Sequence, residues 1–174
     1  MRFKLILCAC LLLLLPSASR ADSQVFRSDV EKVSFRYPSN WEPVHSQLKS
    51  TLVMLYARDG SLATCNLSVI PSDRSSAMQF DASYFLAVYR QIYKDFTIKR
   101  IWNDESFLPA RAFVEADFTR KLPSGESFDI STLTMATVYN GKRYMLVLNA
   151  PRAALAKLRD DFQLITSTLI FFSH

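Results

Sequence analysis

Glycine is scarce in this chain, with 3 in 174 residues. The phosphate loops of nucleotide-binding folds need several closely spaced glycines, because only glycine lets the backbone approach a phosphate so closely. A fold of that type is therefore excluded. Histidine is scarcer still, with 2 residues, which leaves little material for a catalytic triad or a zinc site.

The few residues that could carry chemistry do not form a recognisable site. A Ser-His-Asp hydrolase would depend on His45 in a polar loop, since His174 is terminal, and no serine lies in a Gly-x-Ser-x-Gly motif. Glu115 and Asp117 share one face of a predicted strand, where a solvated surface is the simplest interpretation and a cation site or acid/base pair the alternative. We therefore predict no catalytic, cofactor-binding or metal-binding residue, no cofactor and no enzyme, with a hydrolase at His45 as the least favoured alternative.

The cysteine count predicts that the mature protein has no internal disulfide. Of the 3 cysteines, Cys8 and Cys10 lie near an N-terminal apolar run, and Cys65 remains alone in the rest of the chain. Cys65 is in phase with Leu67 and Val69 of a predicted strand. We expect a small buried apolar side chain there, with a reactive thiol as the alternative.

Residues 1–21 have the pattern of a secretory signal peptide. Arg2 and Lys4 give a positive start, residues 5–15 are apolar, and small residues precede a predicted cut after Ala21. The apolar run is shorter than the roughly 20 residues that span a bilayer, and an uncleaved anchor is the alternative. The sequence predicts a periplasmic or secreted protein with no stable membrane insertion after cleavage.

The charge of the predicted mature chain is close to neutral. Cleavage removes Arg2, Lys4 and Arg20 and no acid, which lowers the formal net charge from +5 to +2. Acids and bases are interspersed along the chain, as expected for a solvated surface. We predict no nucleic-acid partner.

Hydrophobic periodicity predicts two helices and about seven strands. In residues 33–41, V-S-F-R-Y-P-S-N-W, apolar side chains alternate with polar ones until Pro38 ends the strand. Residues 42–45 are predicted as a loop. Helices are predicted at residues 78–96 and at residues 149–166, the second with Pro151 in its first turn.

The order of these elements predicts a single α+β domain over residues 22–174. Asp59-Gly60 and Asn140-Gly141 are hairpin signals, which favours antiparallel strands. Several strands are apolar on both faces, so helices must cover both sides of the sheet. We expect a three-layer α/β/α sandwich with a central, mainly antiparallel sheet.

The chain resembles the PsbP-like family. The resemblance rests on the segment F-R-Y-P-S-N-W at residues 35–41, an early hairpin, a mid-chain helix, a long Asn-Gly hairpin and a closing helix, and it covers residues 25–172. The family includes the PsbP subunit of the oxygen-evolving photosystem, the bacterial DcrB-type exported proteins and, by fold, a Ran-binding nuclear transport factor. The resemblance implies the PsbP-like sandwich and a role in binding or assembling other proteins rather than in catalysis.

The export signal, this resemblance and the missing catalytic constellation predict a non-catalytic protein-binding or assembly module of the bacterial envelope. Its expected partner is another envelope or secreted protein. The candidate contact surface consists of Trp41, Trp102, Asp73 and Arg74, although the simplest interpretation of Trp41 is a large apolar anchor of the core. The alternative is a small-molecule or lipid carrier with a pocket between the sheet and the helix at residues 78–96, for which the 13% aromatic content supplies wall material.

Overall fold

The structure is a computed structural model that describes residues 22–44, 46–121 and 124–173. The predicted signal peptide at residues 1–21 and both histidines, His45 and His174, lie outside the described residues. Within those residues, no helix has the length and apolar character needed to cross a membrane.

A large antiparallel sheet of seven strands forms the centre of the fold, and a sheet of three strands lies beside it. The strand order is β3-β4-β5-β9-β8-β7-β6 in the large sheet and β1-β2-β10 in the small one. The elements are β1 (Ser23–Ser28), β2 (Val33–Pro38), β3 (Trp41–Val44), β4 (Thr51–Ala57), β5 (Thr64–Pro71), a 3-10 turn (Ala77–Gln79), α1 (Ala82–Ile92), β6 (Phe96–Asp104), β7 (Arg111–Lys121), β8 (Ser127–Tyr139), β9 (Lys142–Pro151), α2 (Leu155–Thr168) and β10 (Ile170–Phe171).

The large sheet buries side chains on both faces, which confirms the predicted three-layer arrangement. On one face, alternate residues such as Leu55 and Leu146 pack with β2 and with Phe162 of α2. On the other face, Val114 of β7 and its neighbours pack with Phe85 of α1. Because successive side chains of a strand point to opposite faces, the same strands supply both cores with alternate residues.

Helix α1 is shorter than predicted, at Ala82–Ile92. It begins where the carboxylate of Asp81 accepts a hydrogen bond from the backbone N–H of Tyr84 at 2.9 Å, which satisfies a free donor of the first turn. It ends before Phe96, which enters β6 and packs its ring against Tyr89 with centroids 5.8 Å apart. A helix of this length covers only part of the sheet face.

The start of α2 was predicted wrongly. Residues 149–151 belong to β9, where Ala150 pairs with Ser131 and Pro151 pairs with Ile130 of β8. Proline is tolerated at a strand end as well as in a first helical turn, and here the ladder with β8 prevails. The helix begins only at Leu155, after a turn.

The chain also forms more strands than predicted. Trp41–Val44, expected as a loop in part, is β3 and pairs with β4 at the edge of the large sheet. Ile170–Phe171 pairs with β2 as a two-residue strand, in the closing apolar run at residues 169–172, which the sequence allows as a short strand. β3 forms because β4 offers it backbone partners, which local sequence does not reveal.

A buried arginine joins α2 to the large sheet. Arg111, 3% exposed, donates through Nη1 to the carbonyl oxygen of Thr166 and through Nη2 to that of Leu169 at 2.5 Å. Its guanidinium also lies over the ring of Phe107, 3.8 Å from the centroid. Burial lowers the pKa of Arg111 to about 10, so the side chain is still charged at neutral pH. It therefore satisfies helix-end carbonyls and complements the negative end of the helix dipole.

We expect Arg111→Met to lower the free energy of unfolding by about 2–4 kcal/mol, because it removes two charge-assisted hydrogen bonds from buried carbonyls. Urea denaturation followed by circular dichroism measures this loss. Arg100→Met is the matched control, since its guanidinium lies over the Trp102 ring and binds no buried carbonyl among the described residues. We expect a change within about 0.5 kcal/mol for the control. An equal loss in both variants would contradict the structural role of Arg111.

Candidate binding cleft

An open cleft of about 1250 Å³ lies at the C-terminal end of α1. Its walls come from the end of α1, from the adjoining ends of β7, β8 and β9, and from the β4–β5 hairpin. It exists because α1 and the 3-10 turn cover only the β6–β8 side of the sheet. The same face continues over β9, β5 and β4, where alternate side chains such as Tyr56, Asn66 and Val147 are only partly buried.

Exposed apolar side chains concentrate in this cleft. Nine large hydrophobic residues are exposed in the described part of the chain, and four of them line the cleft. These four are Tyr56 (44% exposed), Leu62 (77%), Ile92 (62%) and Phe128 (44%). Scattered exposed hydrophobic residues need no explanation, but a cluster marks an interaction surface.

An aromatic pair forms the wall below α1. The ring of Tyr93 stacks on that of Phe118 of β7, with centroids 3.8 Å apart. Burial raises the pKa of Tyr93, and the nearby charge of Arg120 partly offsets this rise. Deeper in, the hydroxyls of Tyr89 and Thr134 are 3.0 Å apart, and burial raises the pKa of Tyr89 to about 12. The wall is thus aromatic, and its tyrosine hydroxyls are neutral at physiological pH.

One polar acceptor on the sheet lacks a partner beside the cleft. Asn149 of β9 lines the cleft and lies directly across the ladder from Thr132 of β8. Asn149 Oδ1 is buried without a hydrogen-bond partner among the described residues, whereas Thr132 lies near Tyr89 and does not line the cleft. A buried polar atom without a partner costs about 1–3 kcal/mol, so the carbonyl oxygen of Asn149 can gain from an added donor.

A smaller depression of about 450 Å³ adjoins the cleft and shares Lys94 and Phe118 with it. Its centre is Asp117, which accepts a hydrogen bond from the Ser131 hydroxyl at 2.6 Å and pairs with Lys99 at 3.2 Å and Arg152 at 3.4 Å. Burial works against ionisation of Asp117, but the Ser131 and Lys99 hydrogen bonds and the Arg152 charge outweigh it and lower the pKa.

The structure separates the residues predicted as a contact surface. Trp41 is fully buried, and its Nε1 donates to Asp161 Oδ2 at 2.8 Å. A contact role for Trp41 is therefore wrong, because the side chain offers no surface to a partner. Trp102 is half-buried and stacks on Phe113, with centroids 5.1 Å apart.

Asp73 and Arg74 lie near the N-terminal end of α1, whereas the cleft lies at its C-terminal end. Together with the β8–β9 hairpin they line a depression of about 490 Å³. The guanidinium of Arg74 is 4.9 Å from the ring centroid of Tyr84, whose hydroxyl accepts a hydrogen bond from Arg143. Asp73 is exposed and Arg74 half-buried. They form no common surface with Trp41 or Trp102 among the contacts of the described residues.

The other side chains considered for catalysis or metal binding are engaged in structural contacts or buried. Glu115 pairs with Arg159 at 2.6 Å, so neither it nor the paired Asp117 is a free carboxylate. The described residues contain no group of three or more His, Cys, Asp and Glu side chains placed to hold a metal ion. Cys65 is fully buried, as expected, and burial raises the pKa of its thiol.

Sequence reasoning placed a pocket between the sheet and the helix at residues 78–96 only in the carrier alternative, and it did not identify the residues that line this cleft. Tyr89 and Tyr93 were recognisable as an aromatic row of the helix, but Phe118, Phe128 and Tyr56 belong to three different strands. Their convergence depends on the register of β7 with β8 and of β4 with β5. Ile92 belongs to the apolar stripe that predicts the helix, and we expected it to be buried, but it is 62% exposed at the helix end.

Known proteins resemble this chain in structure but not in sequence. Comparison of the sequence with protein-family models and with curated proteins finds no match. The solution structure of CyanoP, the cyanobacterial PsbP of Synechocystis sp. PCC 6803, superposes with a TM-score of 0.63 and 15% identity over 90% of this chain and 96% of that one. The chain has the PsbP-like fold.

Two further structures share the PsbP-like fold. The Ran-binding protein Mog1p of Saccharomyces cerevisiae matches with a TM-score of 0.62 and 6% identity, over 87% of this chain and 96% of that one. LpqN of Mycobacterium tuberculosis, involved in cell envelope biogenesis, matches with a TM-score of 0.52 and 11% identity, over 90% of this chain and 88% of that one. The superpositions establish the fold, and the low sequence identities mean that function must be inferred from the site.

The ion pairs of Asp117 make a pH-dependent prediction. Because its pKa in the folded state is lowered, the carboxylate stabilises the fold above the unfolded value of about 3.9, and this stability is lost as the pH falls through the folded value. We expect Asp117→Asn to be less stable than the wild type by about 1–2 kcal/mol at pH 6, and the two proteins to converge near pH 2.

Urea midpoints at pH 6 and at low pH measure this difference. Asp29→Asn is the control, because its pair with Arg27 is exposed on both sides and we expect a change below about 0.5 kcal/mol at pH 6. A constant gap between Asp117→Asn and wild type at all pH values would contradict the prediction.

Proposed function

We propose that the protein is a non-catalytic binding module of the bacterial envelope that contacts another exported or envelope protein through the cleft. The observation that supports this most directly is the clustering of Tyr56, Leu62, Ile92 and Phe128 as exposed apolar side chains in one open cleft. Exposed apolar area of this kind gains free energy when a partner removes it from water.

The composition of the cleft supports binding rather than nucleophilic catalysis. None of its lining residues in the described part of the chain is a histidine, cysteine, serine or glutamate. Its one carboxylate, Asp95, has no histidine or cysteine among the lining residues to form a nucleophile–base pair. Aromatic side chains with a basic rim are instead typical of interface centres.

The structural neighbours support the same class of role by analogy. Mog1p is named as a Ran-binding protein, and LpqN is described as involved in cell envelope biogenesis. Export itself is inferred from residues 1–21, whose pattern is that of a signal peptide. A protein that leaves the cytoplasm with this fold and this cleft fits a contact role in the envelope.

The dimensions of the cleft favour a protein over a small ligand. Pockets for small molecules usually measure about 300–1,000 Å³ and bury most of the ligand. This cleft is larger, at about 1250 Å³, and its walls remain open to solvent at Leu62 and Ile92. The carrier alternative therefore ranks second. It would be supported if native mass spectrometry showed the protein with a bound small molecule.

Site-specific photo-crosslinking in cells tests the proposed contact. A photoreactive phenylalanine analogue at position 62, on the cleft rim, is expected to give a discrete crosslinked species in the envelope fraction. The same analogue at Leu48, which is also exposed at 64% but does not line the cleft, is the matched control. We expect Ile92→Asp to abolish the species from position 62 while leaving the fold intact by circular dichroism.

The outcomes separate the hypotheses. The same species from positions 62 and 48, or a species from position 62 that survives Ile92→Asp, would show that the contact is not made by the cleft. No crosslinked protein at all, together with a small bound mass on the purified protein, would move the function to the carrier.

A further inference from the structure

The net positive charge of residues 22–174 comes from the cleft and the depression that adjoins it. The cleft and the adjoining depression together contain five cations and two acids, a formal charge of +3. Residues 22–174 carry +2 in total, so the remainder of that part of the chain is slightly negative. The residues are the cations Lys94, Lys99, Arg120, Lys121 and Arg152 and the acids Asp95 and Asp117.

Three of these cations are free to meet a ligand. Lys99 and Arg152 are engaged by Asp117, whereas Lys94, Arg120 and Lys121 form no ion pair within the described residues. All three line the larger cleft, next to its apolar wall. Cations without partners beside exposed apolar area favour a ligand that is both acidic and apolar, because each part of such a ligand meets its complement.

An acceptor of the cleft lining adds a third argument. Asn149 lines the cleft, and its Oδ1 has no hydrogen-bond partner among the described residues. A ligand that fills the cleft must bring a hydrogen-bond donor to Asn149 or leave that cost in place. Backbone N–H groups of a peptide supply such donors, and the acyl chain of a lipid does not.

We infer that the cleft binds an extended, acidic and apolar polypeptide segment of the partner protein. Its carboxylates pair with Lys94, Arg120 and Lys121, its apolar side chains cover the Tyr93–Phe118 wall, and a backbone N–H donates to Asn149 Oδ1. This inference rests on the proposed function and specifies the chemistry of the partner.

Synthetic peptides test the inference without knowledge of the partner. The probe is a fluorescein-labelled peptide, Asp-Leu-Glu-Tyr-Asp-Leu-Glu, and its control replaces each Asp with Asn and each Glu with Gln. Fluorescence anisotropy with the full mature chain is expected to show binding of the acidic peptide at least about tenfold tighter than that of the amide peptide. Raising NaCl from about 50 mM to about 300 mM should weaken the acidic peptide several-fold, because salt screens exposed charges.

Charge-neutralising variants locate the contact. The double variant Arg120→Gln and Lys121→Gln is expected to lose about tenfold in affinity for the acidic peptide. The matched control, Arg36→Gln with Lys49→Gln, removes the same charge from two exposed residues outside the cleft and should stay within about twofold. Asn149→Leu is expected to weaken both peptides, since it removes the acceptor and keeps the cleft apolar.

Each result supports or overturns the inference. Equal affinity for the acidic and amide peptides, no binding of the acidic peptide at about 1 mM, or equal losses in the two double variants would overturn it. Displacement of the acidic peptide by dodecanoate at lower concentration would also overturn it, in favour of a lipid anion. If a crosslink from position 62 persists in any of these cases, the proposed protein contact stands and only the acidic character of the partner is wrong.

Discussion

The central sheet has apolar side chains on both faces, and the rest of the structure follows from the need to cover them. On one face the cover is nearly complete, because α2 and the small sheet pack there together. Two polar contacts fix this cover in place: Trp41 donates to Asp161 of α2, and Arg111 binds the carbonyl oxygens at the end of the same helix. Each is a buried donor matched to an acceptor, so a shift of α2 would leave several polar groups unsatisfied.

On the other face the cover is incomplete, and the cleft is the result. The eleven residues of α1 and one 3-10 turn pack over β6, β7 and β8. On this face β5 carries the polar residues Thr64, Asn66 and Ser68, whereas its neighbours carry apolar residues such as Tyr56 of β4 and Val147 of β9. This half of the sheet is therefore mixed in polarity, and the boundary between the covered and uncovered halves holds aromatic residues.

The sequence was sufficient for the architecture because its signals were local. The Asp-Gly and Asn-Gly turns placed two hairpins, and alternating residues such as Phe35 and Tyr37 placed β2. The resemblance of residues 35–41 to the PsbP-like family agreed with the structural neighbours. The errors came from competition between elements: Pro151 suits a helix start or a strand end, and the ladder with β8 decided. Trp41 is the core anchor that its place after the turn favoured, but only the structure excludes a contact role, since its distant partner Asp161 gives the indole N–H a buried acceptor.

The charges around the cleft also bear on which partners its exposed apolar surface can meet. A second copy of this chain would bring Lys94, Arg120 and Lys121 against the same three cations in a two-fold contact, and like charges facing each other oppose association. An acidic partner meets attraction at the same place. Lys94 follows α1, whereas Arg120 and Lys121 are neighbours at the end of β7, so the fold brings these two parts of the chain together, and composition alone showed only a small net charge. By placing these cations together at the cleft, the fold disfavours association with a second copy at this surface and favours a partner of opposite charge.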